Sequence, residues 1–263
     1  VLATAVIESN GEEMTFTKDL EINVRDRDRL IYVGIDASHD NEYVAGNYKA
    51  SMGNFAALAA NYDIRVVELK TSEELIGALN NPKYEMFVFT VPSRRNGTIG
   101  RIPWKSYSEE EIQAVENFAK QGKTIILTGW GDYYENYTNL RNDPNFTPDQ
   151  HMAAQQNKIL EAIGAKLRIT DDEAKDNVLN GGQAQRLYLT DHNGYVNPFT
   201  QGLDPSQVFS QYGGSTIYTV DENGVPTDVL PNSVSPIISG HESTFSSDDD
   251  NDENPPPPKY NDR

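Results

Sequence analysis

The chain has 263 residues, no cysteine and a formal net charge of −18. The absence of cysteine excludes disulfides, zinc–thiolate centres and a cysteine nucleophile. The negative charge disfavours direct contact with phosphate backbones or with anionic lipid.

Residues 1–24 read as two β-segments around an Asn10-Gly11 hairpin turn. Val1 to Glu8 is apolar and β-prone. Met14 to Val24 then alternates, with Met14, Phe16, Leu20, Ile22 and Val24 apolar. This N-terminal β-hairpin segment, residues 1–27, either ends a preceding domain or adds an edge to the main sheet.

From Asp28 the pattern changes. Leu30 to Ile35 is a continuous apolar run, as expected of a strand buried on both faces. A helix is predicted over residues 44–61 and a strand over Ile64–Leu69. Thr71 has N-cap chemistry and opens a short helix to Leu79. Met86–Val91 is a third buried strand, closed by Pro92. Ser108 and Glu111 form a capping box at the head of a helix carrying Ile112, Val115 and Phe118. Gly122 ends that helix, and Lys123–Thr128 is a fourth strand. Strand and helix alternate at a spacing that predicts a parallel sheet with helices on both faces.

A helix is then predicted from Pro148 to Ile163. Short β-pieces follow at Leu167–Thr170, Arg186–Thr190, Ser215–Val220 and Pro236–Ile238, with a short helix and turn over 172–182. The fold class is therefore α/β, a three-layer sandwich with a mainly parallel flavodoxin-like sheet, over residues 28–243. Residues 244–263 are acidic and proline-rich, and are read as a linker or tail. The Asp run there lacks the glycine and ligand spacing of an EF-hand.

Ligands of open parallel sheets bind beyond the carboxyl ends of the strands. That rule selects three loops. The first holds Asp36, Ser38, His39, Asp40, Asn41 and Tyr43, which suit either local capping or contact with a ligand or divalent cation. The second holds Ser93 and Arg94, suited to an anion or to surface ion pairs. The third holds Gly129, Trp130, Asp132 and Tyr133. Its aromatics beside carboxylate and amide groups suit a glycan, or else pack over the sheet.

The remaining histidines, His151, His192 and His241, are isolated, so no zinc motif is present. No Walker loop, dinucleotide fingerprint or nucleophile elbow occurs. Asn96-Gly-Thr, Asn136-Tyr-Thr and Asn145-Phe-Thr fit glycosylation sequons. No apolar run reaches membrane-spanning length and no signal peptide is seen. The start at Val1 without an initiator Met reads as a piece cut from a longer protein.

Four stretches, Ile31–His39, Tyr107–Ile112, Phe118–Gly129 and Asn197–Leu203, make the chain resemble the class I glutamine amidotransferase-like superfamily. The likeness is to its extracellular, non-catalytic branch in bacterial surface proteins. That resemblance implies an amidotransferase-like sheet. Catalytic members carry a cysteine on a Gly-x-Cys-x-Gly turn after a strand. Here the comparable turn is Gly129-Trp130-Gly131-Asp132, with no cysteine or serine, so glutamine hydrolysis is not implied.

The expectation is a non-catalytic binding or structural module of a secreted or cell-surface multidomain protein, accessory to an extracellular hydrolase. Its expected partners are neighbouring domains of the parent chain, a glycan or a divalent cation. No nucleic acid, membrane span or organic cofactor is expected. The alternative is a metal-assisted hydrolase built on Asp36, His39, Asp40 and Asp132. A plain spacer in a surface stalk is a third reading.

Overall fold

A computed structural model describes residues 2–19, 29–41, 49–92, 105–132, 151–192 and 199–248. The site candidates Tyr43, Ser93, Arg94 and Tyr133, and the three sequon asparagines, lie outside the described residues.

The chain is α/β, with one parallel sheet and several small antiparallel ones. The parallel sheet contains β3 (Ile31–Asp36), β4 (Ile64–Leu69), β5 (Tyr84–Phe89) and β6 (Thr124–Leu127), in the order β4-β3-β5-β6. All three pairings are parallel. These four strands match the apolar runs in the sequence. Their side chains alternate between two cores. Tyr32, Leu69, Phe87 and Phe89 pack on one face against Leu75 and Leu79 of α2 (Ser72–Leu79), Val115 and Phe118 of α3 (Glu109–Lys120), and Ile159 of α4 (Met152–Ala162). Val33, Ile35 and Val88 face the other way, with Met52 of α1 (Lys49–Ala59) packed among them. Gly34 is required where β3 meets β5, because a Cβ there would run into the Phe87 ring.

The helix caps follow the sequence. The Thr71 side chain accepts from the Glu74 backbone N–H, and Ser108 and Glu111 form a reciprocal capping box. Gly122 ends the turn after α3 with φ of 76°.

The second half differs from expectation in detail. In place of the helix expected over 172–182, Glu173–Asp176 is a strand, β8. Its low strand propensity is overridden by pairing. Thr244–Ser247, β13, runs antiparallel along it, and Asp176 ties the following turn through the backbone N–H groups of Val178 and Leu179. The folded part thus extends past the boundary expected at 244. Leu167–Ile169 (β7), Arg186–Leu189 (β9) and Ile217–Val220 (β11) fall on three of the expected β-pieces. Phe209–Tyr212 (β10) and Pro226–Thr227 (β12) are additional to them. Residues 236–238 form no strand, although Ser239 makes an isolated bridge to Asp191.

The N-terminal segment is a hairpin of β1 (Leu2–Ser9) and β2 (Glu12–Asp19), joined by Asn10 and Gly11. Both turn residues have positive φ, 57° and 81°, the signature of a type I′ turn. The hairpin forms its own two-stranded sheet. Among the described residues, no helix is long and apolar enough to cross a membrane.

Candidate functional site

The order β4-β3-β5-β6 places a topological switch between β3 and β5, the strands whose connections leave in opposite directions across the sheet. A crevice opens at such a point beyond the strand carboxyl ends. The loop after β3 lies at this end of the sheet, and Asn41 makes an antiparallel bridge to Pro92 after β5. Asp36, Ser38, His39 and Asn41 are all buried here.

Asp36 is the hub. Its Oδ1 accepts from the Ser38 backbone N–H at 2.9 Å and from the Ser38 hydroxyl at 2.7 Å. Its Oδ2 accepts from Asn41 Nδ2 at 3.0 Å and from the Tyr107 hydroxyl at 3.1 Å, and lies 2.9 Å from His39 Nδ1. Asn41 also donates to the Thr90 carbonyl at 2.8 Å, linking the β3 loop to the end of β5. The Asn41 side-chain oxygen accepts from the His39 backbone N–H.

His39 joins this hub to a helix. Its Nε2 lies 3.4 Å from Glu111 Oε2. Glu111 is the N3 residue of the α3 capping box and accepts from the Ser108 backbone N–H at 2.7 Å. Its place in the first turn is favourable for a carboxylate in the helix dipole. The Tyr107 ring packs on the imidazole with centroids 4.2 Å apart. Lys105 closes the outer side, donating to the Ser38 carbonyl and pairing with Asp40 at 3.4 Å.

The electrostatics follow from this geometry. Burial pulls the His39 imidazole down. The hydrogen bonds to Asp36 and then Glu111, with both carboxylate charges, override that pull and raise its pKa to about 9. Burial pushes the Asp36 carboxyl up, but the hydrogen bonds and charge of His39 and the two bonds from Ser38 hold it below the ordinary carboxylate range. Burial likewise raises Glu111, and hydrogen bonds from His39, the Ser108 backbone and Ser72 bring it down to about 2. At neutral pH the assembly is an imidazolium held between two carboxylates. Both ring nitrogens then donate. In that arrangement both ring nitrogens face carboxylates, and neither presents a lone pair outward.

The third loop builds a separate neighbourhood. Trp130 packs with Val91 and Met152, so its ring serves the core. The Gly131 N–H donates to the Gly213 carbonyl and the Asp132 N–H to the Asp172 carbonyl. A side chain at Gly131 would strike Glu173. Gly129 is exposed and sits against Ile169 and Ser215. Asp172 accepts from the Thr216 N–H and hydroxyl and from the Ser246 hydroxyl. Burial nevertheless raises its pKa, against those hydrogen bonds. Asp132 is buried in this second neighbourhood, whereas Asp36 and His39 are tied to the α3 cap. Among the described residues, no group of three histidine or acidic side chains could hold a metal ion.

Sequence reasoning selects Asp36, Ser38, His39 and Asn41 and misses Tyr107, Lys105 and Glu111. Glu111 is legible only as a cap. One signal points further. A helix that follows β5 starts from the end of the sheet where that strand finishes, the end where the β3 loop also lies.

No family model matches the chain, and no curated protein matches it. A solved structure described as "mmIFT52 N-terminal domain" is similar at 16% identity and a TM-score of 0.43, covering 72% of this chain and 69% of that one.

Proposed function

We propose that this domain is a non-catalytic binding or structural module of a secreted or surface multidomain bacterial protein. The observation that carries this reading is the engagement of both His39 ring nitrogens, by Asp36 and by Glu111. The side chains best suited to chemistry at the switch point are spent on one another. They fix the β3 loop to the head of α3 and so stiffen the face beyond the strand ends. The turn Gly129–Asp132 carries no cysteine or serine to replace them. In this reading the sheet and its helices are the three-layer, amidotransferase-like scaffold without its chemistry.

The hairpin supports the same reading. Paired residues in an antiparallel ladder share a face. Ala5 with Phe16 and Ile7 with Met14 therefore lie on one side, and Thr4 with Thr17 and Val6 with Thr15 on the other. Ile7, Met14 and Phe16 are each roughly half exposed, at 51%, 43% and 55%. A two-stranded hairpin is marginal alone in water and needs a cover. Contact with a neighbouring domain of the parent chain would supply it.

The test is thermal unfolding with calcium, magnesium, zinc or EDTA, on the wild type and on His39→Ala. A ligand that binds only the folded state raises the midpoint. The module reading expects no ion to shift either protein and the substitution alone to lower the midpoint. An ion that stabilises the wild type, is reversed by EDTA and has no effect on His39→Ala would overturn the premise that Asp36 and Glu111 occupy both His39 nitrogens, and would favour the metal-assisted alternative.

A further inference from the structure

Three Asn-Gly pairs lie among the described residues: Asn10-Gly11, Asn180-Gly181 and Asn223-Gly224. Asn-Gly is the dipeptide most open to intramolecular attack, because glycine offers no side chain to hinder its nitrogen. The structure treats the three pairs differently.

At Asn180, every group the reaction needs is held. The side-chain amide donates to the Asp176 carbonyl at 2.7 Å, and its oxygen accepts from the Gly182 N–H at 2.9 Å. The Gly181 N–H, the attacking nitrogen, donates to the Arg186 carbonyl at 2.8 Å. At Asn223, the side chain bonds to the Asp221 carboxylate. The Gly224 N–H donates to the Asp221 carbonyl at 3.1 Å.

At Asn10, among the described residues, no hydrogen bond holds the side chain or the Gly11 N–H. Both residues are exposed, and the turn joins the isolated, marginal hairpin. Local opening there costs little free energy, so the backbone samples the attack geometry often.

We propose that Asn10 is a site of spontaneous modification in this protein, converting to aspartate and isoaspartate while Asn180 and Asn223 are protected by the fold. The Gly11 backbone nitrogen loses its proton and attacks Asn10 Cγ. The Cγ–Nδ2 bond breaks, and ammonia leaves with that proton. Water then opens the resulting succinimide at either carbonyl. Opening at one carbonyl gives an ordinary aspartate, and opening at the other gives isoaspartate, with one extra backbone methylene. No oxidant or reductant is involved.

The consequence falls on the hairpin. Either product adds a negative charge beside Glu8, Glu12 and Glu13, which flank the turn. The isoaspartyl product also lengthens the two-residue loop that sets the Ser9–Glu12 register, so the face carrying Phe16 and Ile7 loses its alignment.

The test is peptide mapping by mass spectrometry of the intact 263-residue chain, incubated in mildly alkaline buffer with and without urea. In the folded chain, Asn10 should convert roughly tenfold or more faster than Asn180 or Asn223, the ratio set by their opening populations. In urea the three rates should converge. Asn10→Gln, which would need a larger ring, should show no comparable conversion at the turn. Conversion of Asn180 or Asn223 as fast as Asn10 in the folded chain would overturn the proposal. So would an unchanged ranking in urea, because sequence and not structure would then set the rates.

Discussion

Glu111 Oε2 lies 3.4 Å from His39 Nε2 while also accepting from the Ser108 N–H at 2.7 Å. One carboxylate thus caps α3 and neutralises an imidazolium on the loop after β3. The loop, the helix head and the end of β5 become one rigid unit through His39, Asp36 and Asn41.

Removing His39 should be costly. His39→Gln leaves Asp36 and Glu111 buried without their shared cation. Breaking a buried pair by deleting one partner costs about 3–5 kcal/mol. A urea titration should show the midpoint falling by a corresponding amount with the slope unchanged.

Stability should fall on both sides of neutrality. The folded pKa of His39 is raised, so its contribution is complete below the unfolded value of 6.5 and is lost as pH rises through about 9. Glu111 is lowered, so its contribution is complete above its unfolded value of 4.5 and is lost as pH falls through about 2. Asp36 is also lowered and acts in the Glu111 direction. Urea midpoints measured across pH should decline on the alkaline limb in the wild type, and that limb should flatten in His39→Gln.

Gly34→Ala should destabilise the sheet. The added methyl meets the buried Phe87 ring, and overpacking a core costs about 1–3 kcal/mol. The double variant Gly34→Ala, Phe87→Leu should be less destabilised than the sum of the two single changes, because the second opens the space the first requires. Denaturant midpoints of the four proteins decide this.

Asn41→Ala should loosen the link between the β3 loop and β5. It removes donors to Asp36 and to the Thr90 carbonyl, both at buried positions. Leaving buried acceptors without a partner costs about 1–3 kcal/mol. Hydrogen exchange should quicken at residues 38–41 well before it changes in α2.

The parallel sheet is legible in the sequence because its strands are nearly pure apolar runs, and the α3 cap because Ser108 and Glu111 carry a local signature. Glu111 as a partner of His39 is not legible, since their contact joins distant segments and leaves no periodic trace. β8 reads as helix because Glu173-Ala-Lys-Asp176 has little strand propensity of its own. It is a strand because Thr244–Ser247 pairs with it, and that partner is hidden in a Ser- and Asp-rich stretch that reads as tail. Trp130 is a candidate for ligand contact from its loop, yet its ring packs on Val91 and Met152. Sequence alone leaves both uses open for an aromatic beside a glycine turn.

The most direct test is an NMR titration of the His39 side chain, assigned by its loss in His39→Gln. An imidazolium held between Asp36 and Glu111 should stay protonated through neutral pH and titrate near 9, and added zinc should leave its signals unmoved. A midpoint at or below the ordinary histidine value of 6.5, or ring shifts on adding zinc, would contradict this and make His39 a catalytic and metal-binding candidate again.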